Sequence, residues 1–313
     1  MNKFLSASTS PHIKHEDTTR GIMADVIISL CPAAVFGCIL FGPKAIILLL
    51  VSILTAVAAE FVWNVLLKKQ QTIGDLSAIV TGLLLGMNLS SETPVWIAAI
   101  GSVVAIIIVK QMFGGLGYNF VNPAIAARIV LLVSFPSIMT TFTAPLTSYG
   151  DGVADAVSSA TPLMADTTPS VKELFFGMHS GSIGETSAFL LLIGGLYLVA
   201  RRVISPSIPL AFLGSFALMT LIFGGDVIPA LCSGGLMLGA IFMATDYTTS
   251  PFTPLGRIIY GVGCGLITFT IRQFGALPEG VSYAIILLNI LTPHINKLTL
   301  SKPFGWKEAD DRE

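Results

Sequence analysis

Charge is scarce in this chain. Lys, Arg, Asp and Glu make up 11% of its 313 residues and the net charge is −1, whereas a soluble domain carries roughly 25% charged residues. With no basic excess there is no electrostatic case for a nucleic-acid partner. Cysteine is scarce too. Cys31, Cys38, Cys232 and Cys264 all lie in apolar runs and none forms a CxxC pair, so neither an iron–sulfur site nor a disulfide framework is expected, and no metal site is assigned. They read as small apolar packing residues. A nucleotide-binding βαβ unit is missing as well: the glycines of Gly114-Gly-Leu-Gly-Tyr-Asn119 follow an apolar helix rather than a strand, and a tight turn explains them better than a dinucleotide fingerprint. The polar start, Met1 to Arg20, is not read as a signal peptide, because no short apolar core with a cleavage site follows it.

What the chain has in abundance is apolar length. It is 53% hydrophobic with a mean hydropathy of +0.82. A membrane helix needs about 20 mainly apolar residues. Ten candidate spans follow: Asp25–Phe41, Ala45–Leu67, Leu76–Leu89, Val95–Met112, Asn122–Ile138, Thr186–Ile204, Ile208–Phe223, Val227–Ala244, Gly256–Phe274 and Val281–Ile295. The third is short and Gly-rich, the pattern of a broken or re-entrant element. The only long polar stretch runs from Met139 to Glu185.

Basic residues orient the spans. Of the 17 Lys and Arg, only Lys44, Lys172 and Arg272 fall on the side opposite the N-terminus, Arg128 sits within the fifth span, and the remaining thirteen share the side of the N-terminus. The positive-inside rule puts that side in the cytoplasm. Both termini are then cytoplasmic and the long loop is extracytoplasmic. The expected organisation is a cytoplasmic segment over 1–24, a five-helix unit over 25–138, an outer loop over 139–185, a second five-helix unit over 186–295 and a cytoplasmic tail over 296–313.

The two units resemble one another. The third span, Ala78-Ile-Val-Thr-Gly-Leu-Leu-Leu-Gly86, follows Gly74-Asp75, and the eighth, Ala230-Leu-Cys-Ser-Gly-Gly-Leu-Met-Leu-Gly239, follows Gly225-Asp226. They are five places apart in the order of spans, an odd number, so they run in opposite directions. That is the signature of an inverted-topology repeat, whose interrupted helices line a central site and approach each other near the pseudo-twofold axis. The fold class expected is therefore an all-α integral membrane protein of about ten helices in two inverted five-helix repeats.

Few polar residues fall inside the spans. Asn122-Pro123 has the form of an N-cap followed by Pro at the first helical position. Arg128, about two turns on, either snorkels to the inner face or holds a carboxylate or anion. Asp25, Glu60, Asp75 and Asp246 fall near inner span ends and Asp226 near an outer one. They read as helix-end residues, with Asp25 and Asp75 opening their helices, or as members of an ion path.

The outer loop contains Asp155-Ala-Val-Ser-Ser-Ala-Thr161-Pro-Leu163. By composition alone this is a solvated Ser/Thr-rich turn. Together with Ser6-Ala-Ser-Thr-Ser-Pro-His12, Gly114–Arg128 and Met243-Ala-Thr-Asp-Tyr-Thr-Thr-Ser-Pro251, followed by Gly256-Arg257 and Tyr260-Gly261, it resembles the family of the D subunit of the Rnf complex, related to the B subunit of the sodium-pumping NADH:quinone oxidoreductase. In that family the loop carries Asp-x-x-Ser-Gly-Ala-Thr, and the last Thr bears FMN through a phosphoester bond made by a separate flavin transferase. The resemblance places Thr161 at the acceptor position, Asp155 at the leading acid and Ser158 at the leading hydroxyl; Ser159 stands where Gly is usual. It implies a subunit of a prokaryotic plasma-membrane translocase that couples electron transfer between ferredoxin and NAD to Na⁺ or H⁺ movement. Its partners would be the other Rnf subunits, the transferase and membrane lipid. A second, non-covalent flavin such as riboflavin between helices is also implied, although no motif shows it. No catalytic residue is named, since NAD and ferredoxin sites belong to partners when a chain has neither a nucleotide fold nor cluster cysteines. A quinone-reductase subunit and a flavin-free solute channel or transporter are the competing readings. The Thr161 motif separates the transporter from the rest.

Overall fold

The computed structural model describes residues 18–143, 145, 158–159, 170–275 and 280–300. Helix dominates them. Three helices are long and apolar enough to cross a membrane: α1 (Thr19–Phe41), α2 (Pro43–Leu66) and the later Pro254–Phe274. At 1.5 Å per residue, the 24 residues of α2 extend about 36 Å, enough for a hydrocarbon core about 30 Å thick. Between α2 and that later helix come α3 (Ser77–Met87), α4 (Val95–Val103), α5 (Pro123–Ser134), α6 (Pro136–Met139), α7 (Val171–Phe176), α8 (Ala188–Ala200), α9 (Ser207–Ile222), α10 (Val227–Cys232) and α11 (Leu236–Leu238). Pro254–Phe274 is α12, and α13 (Val281–Thr299) follows. Two stretches are wound as π-helix: Val104–Gln111, which continues α4, and Gly239–Met243, which continues α11.

Local chemistry sets several ends. Asn122 accepts from the N–H groups of Ala124 and Ile125, with Pro123 at the first helical position, as its sequence implied. The turn before it holds Gly114, Gly115 and Gly117 at positive φ, the left-handed backbone that glycine adopts without a Cβ penalty. Thr18, not Asp25, caps α1, so Asp25 lies inside that helix rather than opening it. Its carboxylate accepts from Tyr197 Oη at 2.8 Å and pairs with Arg201 at 3.2 Å. Ser170 and Glu173 form a capping box at the start of α7. These residues were readable as such a box, yet the stretch reads as plain loop on composition.

Packing joins the helices in a repeated pattern. α2 runs along α3 and α4, while α9 runs along α12 and touches α10; α5 packs on the π-continuation of α4, and α13 packs on α12. α1 lies against α8, and α5 against α13. One apolar cluster, from Leu30 in α1 to Ile295 in α13, fills the centre. Large apolar side chains also face outward, among them Ile39, Leu54, Val133, Leu196, Leu210 and Leu221. Such surfaces suit a hydrocarbon solvent and would be a liability in water, so the chain is a membrane protein.

α3 is too short to cross, with 11 residues and so about 16 Å of length. Past it, residues 88–94 continue without helix, and Asn88, Leu89, Ser90, Ser91 and Thr93 are all buried. The eighth apolar segment is interrupted as well: α10 stops at Cys232, and α11 begins at Leu236. Irregular backbone at membrane depth is stable only when protein groups complete its hydrogen bonds, and how each break is completed defines the site.

Candidate functional site

At the first break the freed groups are met by backbone. The stretch His179–Ser187 is buried throughout, although its residues up to Glu185 were read from sequence as outer loop. It enters beside the end of α3, where Ile183 N–H donates to Leu89 O at 3.0 Å and Gly184 N–H to Met87 O at 2.8 Å. Gly37 of α1 makes room for it, since a Cβ there would run into the Ile183 carbonyl.

The other end of α3 carries a dense polar network. Glu60 (0% exposed) and Lys110 (2%) form a buried ion pair at 3.0 Å. The carboxylate also accepts from Gln111 Nε2 at 2.9 Å and from Thr72 Oγ1 at 2.5 Å. Asn64 donates to Thr72 Oγ1, and Lys110 donates to Ser77 Oγ at 2.6 Å. Ser77, through both N–H and Oγ, donates to Asp75 Oδ1. The ammonium thus meets three oxygens, Glu60 Oε1 at 3.2 Å, Glu60 Oε2 at 3.0 Å and Ser77 Oγ at 2.6 Å, which makes a buried charge tolerable. Glu60 thus faces the protein interior, and Lys110, counted from sequence among the cations on the inner side, is its buried partner. The sequence hid the pair because its members are 50 positions apart. The π-wound turn holding Lys110 and Gln111 is a form common at functional sites.

At the second break a guanidinium completes the backbone. Arg272 of α12 donates to Ala230 O at 2.9 Å and to Ser233 O at 3.0 Å. Beside it lies Arg128, 5% exposed, which donates to Asn88 Oδ1 at 2.9 Å and Ser282 Oγ at 3.3 Å. It is held inside the bundle and does not snorkel. Glu185, 3% exposed, accepts from Ser182 N–H through Oε1 at 3.0 Å. A Cβ placed on Gly235 would stand 3.2 Å from Glu185 Oε2 and 3.5 Å from Arg128 Nη1. The sequence pointed to Arg128 but left Glu185 inside the polar loop, since nothing near it signals burial.

The two interrupted segments meet at their ends. Asn88, just past α3, donates to Met243 Sδ at 3.5 Å, and Asn122 donates to Met243 O at 3.1 Å. Gly82 has another role: its missing side chain lets α2 approach, with a would-be Cβ 2.8 Å from Ile53 Cα and from Ser52 O.

A cavity opens beside the Lys110 network. Its walls include Val80, Leu84, Leu198 and Phe242, and its polar lining includes Ser77, Lys110, Asn119, Asn122, Asp246 and Thr248. Its free volume is about 80 Å³, room for a few water molecules and well short of the few hundred Å³ of a drug-sized ligand site. Asp246, on the connection after Met243, accepts from Thr248 and Thr249 Oγ1 at 2.9 and 3.1 Å. Burial pushes its carboxyl above the ordinary range, opposed by the hydrogen bonds from Thr248, Thr249 and Asn119.

Of the loop motif, Asp155 and Thr161 lie outside the described residues. The backbone of Ser158 is described. Strand β2 (Ser158–Ser159) pairs antiparallel with β1 (Phe142–Thr143), Thr143 opposite Ser158. Thr143 Oγ1 in turn lies 2.7 Å from Ser91 Oγ, which ties the ribbon to the irregular segment after α3.

Comparison with known proteins now adds to this geometry. Residues 6–305 match the NQR2, RnfD, RnfE family. The chain is 48% identical to the D subunit of the Na⁺-translocating ferredoxin:NAD⁺ oxidoreductase complex of Acetobacterium woodii, over 97% of each chain. It is 41% identical to the D subunit of the proton-translocating ferredoxin:NAD⁺ oxidoreductase complex of Clostridium ljungdahlii, over 96% of each. It is 38% identical to the D subunit of the ion-translocating oxidoreductase complex of Stutzerimonas stutzeri, over 91% of each.

Proposed function

Because this chain belongs to the NQR2, RnfD, RnfE family, we propose that it is the D subunit of a membrane complex that moves electrons between ferredoxin and NAD and couples them to ion translocation. The single observation that carries this reading is the full-length similarity to subunits of that name in Acetobacterium woodii and Clostridium ljungdahlii. The chain works as part of a translocase: the other subunits of the complex supply the NAD and ferredoxin sites. One of the two relatives is named for Na⁺ and the other for protons, so family membership does not select the ion.

The membrane arrangement proposed is ten passes, α1 to α5 and α8 to α13, with α3 completed by the irregular residues 88–94 after it and the interrupted α10–α11 segment counting as one. The packing supports a division into two inverted repeats. α2 with α4 corresponds to α9 with α12, and the contacts α1–α8 and α5–α13 join equivalent helices across the pseudo-axis. Both termini then face the cytoplasm and the Thr161 loop faces outside, in a prokaryotic plasma membrane. A reporter enzyme active only outside should work when fused near residue 150 and fail when fused near residue 70 or 205.

Thr161 is the proposed attachment point of FMN through a phosphoester, with Asp155 and Ser158 as parts of the motif the transferase reads. A phosphoester on a loop fixes a flavin without a deep pocket. For a second, non-covalent flavin such as riboflavin, the cavity beside Lys110 offers apolar walls with Asn119, Asn122, Ser77 and Thr248 as polar contacts, and its walls must part to admit a ring. A bound flavin supplies one- and two-electron transfer that side chains cannot. In-gel fluorescence of the denatured chain tests the assignment. The wild-type band should fluoresce, and Thr161→Ala should abolish the signal while the protein still inserts; a fluorescent Thr161→Ala band would remove Thr161 from the account.

A further inference from the structure

We propose that Arg202 and Arg257 frame a binding site for the phosphate headgroup of an anionic phospholipid in the inner leaflet. A cavity with about 360 Å³ of free volume opens there, in the range of small-molecule sites. Its lining runs from Val199, near the end of α8, through residues 202–206, and takes in Tyr247 and Arg257, the latter in the first turn of α12. Both charges in the lining are positive, and no carboxylate is among it. The neighbouring Arg201 is paired with Asp25. Neither Arg202 nor Arg257 has an acidic partner among the described residues. Arg257 donates through Nε to Pro251 O at 3.1 Å, which fixes its stem, while its Nη groups meet no acceptor among the described residues. A guanidinium offers paired N–H donors that match a phosphate.

The backbone shows that Arg202 is present for its side chain. α8 ends in a Schellman turn, with Val203 N–H donating to Leu198 O at 2.9 Å and Arg202 N–H to Val199 O at 3.0 Å. Arg202 takes the left-handed position of that turn, at φ 58°, which glycine usually fills because a Cβ is penalised there. An arginine at this point costs stability that a ligand-binding role accounts for. The level of the cavity selects a lipid over a soluble anion. In the membrane arrangement proposed above, on which this inference rests, the end of α8 and the starts of α9 and α12 all reach the cytoplasmic face. The same helices turn Leu196, Leu210, Leu255 and Ile258 outward, an apolar surface for acyl chains. Tyr247, 54% exposed, donates to Val203 O at the cavity wall, and tyrosine suits headgroup depth. Basic pockets between membrane helices on that side hold acidic headgroups.

The test adds phosphatidylglycerol with a photoreactive acyl chain to the purified whole complex and reads labelled peptides by mass spectrometry. Peptides holding the end of α8 and the start of α12 should be labelled, and unlabelled phosphatidylglycerol should compete where phosphatidylcholine does not. Arg202→Gly removes the charge yet suits the left-handed turn, so that complex should assemble and melt no lower than wild type. Its half-maximal labelling should need about 5-fold more lipid, and Arg202→Gly with Arg257→Gln about 30-fold more, the weight of one and of two basic residues near a membrane surface. Absence of label on these peptides, equal labelling of wild type and the double variant, or equal competition by phosphatidylcholine would overturn the proposal. So would displacement by glycerol phosphate at the concentration of the lipid itself, which marks a site for a soluble anion. The reporter fusions near residues 70, 150 and 205 judge the membrane arrangement separately.

Discussion

The two ends of α3 treat buried charge differently. At the Glu60–Lys110 end, carboxylate, ammonium, amide and hydroxyls meet one another's needs. Across the bundle, Glu185 and Ser182 each keep a buried oxygen with no donor among the described residues. Both clusters sit within an apolar core, so desolvation is severe in both. The first is a closed structural network whose members hold α2, α3 and the π-wound turn together. The second leaves Glu185 Oε2 and Ser182 Oγ without a hydrogen-bond partner among the described residues, with the Arg128 guanidinium at the same point beside Gly235.

The sharpest way to break this contrast is to remove one partner of the closed network. Lys110→Met leaves the Glu60 charge buried and uncompensated, and should destabilise the solubilised protein by about 3–5 kcal/mol. Adding Glu60→Gln should restore most of the loss, because a neutral pair needs no counter-charge. Thermal unfolding of the single and double variants measures both. A single variant as stable as wild type would show that the network does not brace the fold.

A middle-sized effect separates two glycines that look alike in sequence. Gly82→Leu drives a side chain into the backbone of α2 and should cost about 1–3 kcal/mol or more, seen as reduced yield of assembled complex. Gly235→Leu meets the tips of Glu185 and Arg128 instead of backbone, so its complex should assemble and lose turnover. Equal loss of assembly in both variants would erase the distinction.

Smallest of all is the exposed pair Lys44–Glu92, at 2.8 Å with Lys44 61% exposed. Solvent screens it, and Lys44→Ala should change stability by less than about 1 kcal/mol. A larger change would mean that it fastens the irregular segment after α3.

Much of the fold was legible in the sequence for a simple reason: α1, α2 and α12 are apolar runs of full membrane length, and run length is a local property. The short, Gly-rich third segment also announced its interruption. Legibility failed where structure depends on distant partners. Neither member of Glu60–Lys110 marks the other, and Glu185 is buried because α1 and α3 close over its segment, not because its neighbours in sequence are apolar. The π-wound turns leave no periodic signal, since one extra residue per turn hardly alters the apolar pattern. Thr161 reverses the case: its loop motif is clear in sequence, and its position lies outside the described residues.

That makes Thr161 the point on which the functional account turns, and the most direct measurement is the mass of the proteolytic peptide that carries it. In the active complex the peptide should be heavier by one FMN less one water, with fragmentation placing the increment on Thr161, and it should lose that increment when the flavin transferase is absent. A fully active complex whose Thr161 peptide has its unmodified mass would contradict the account.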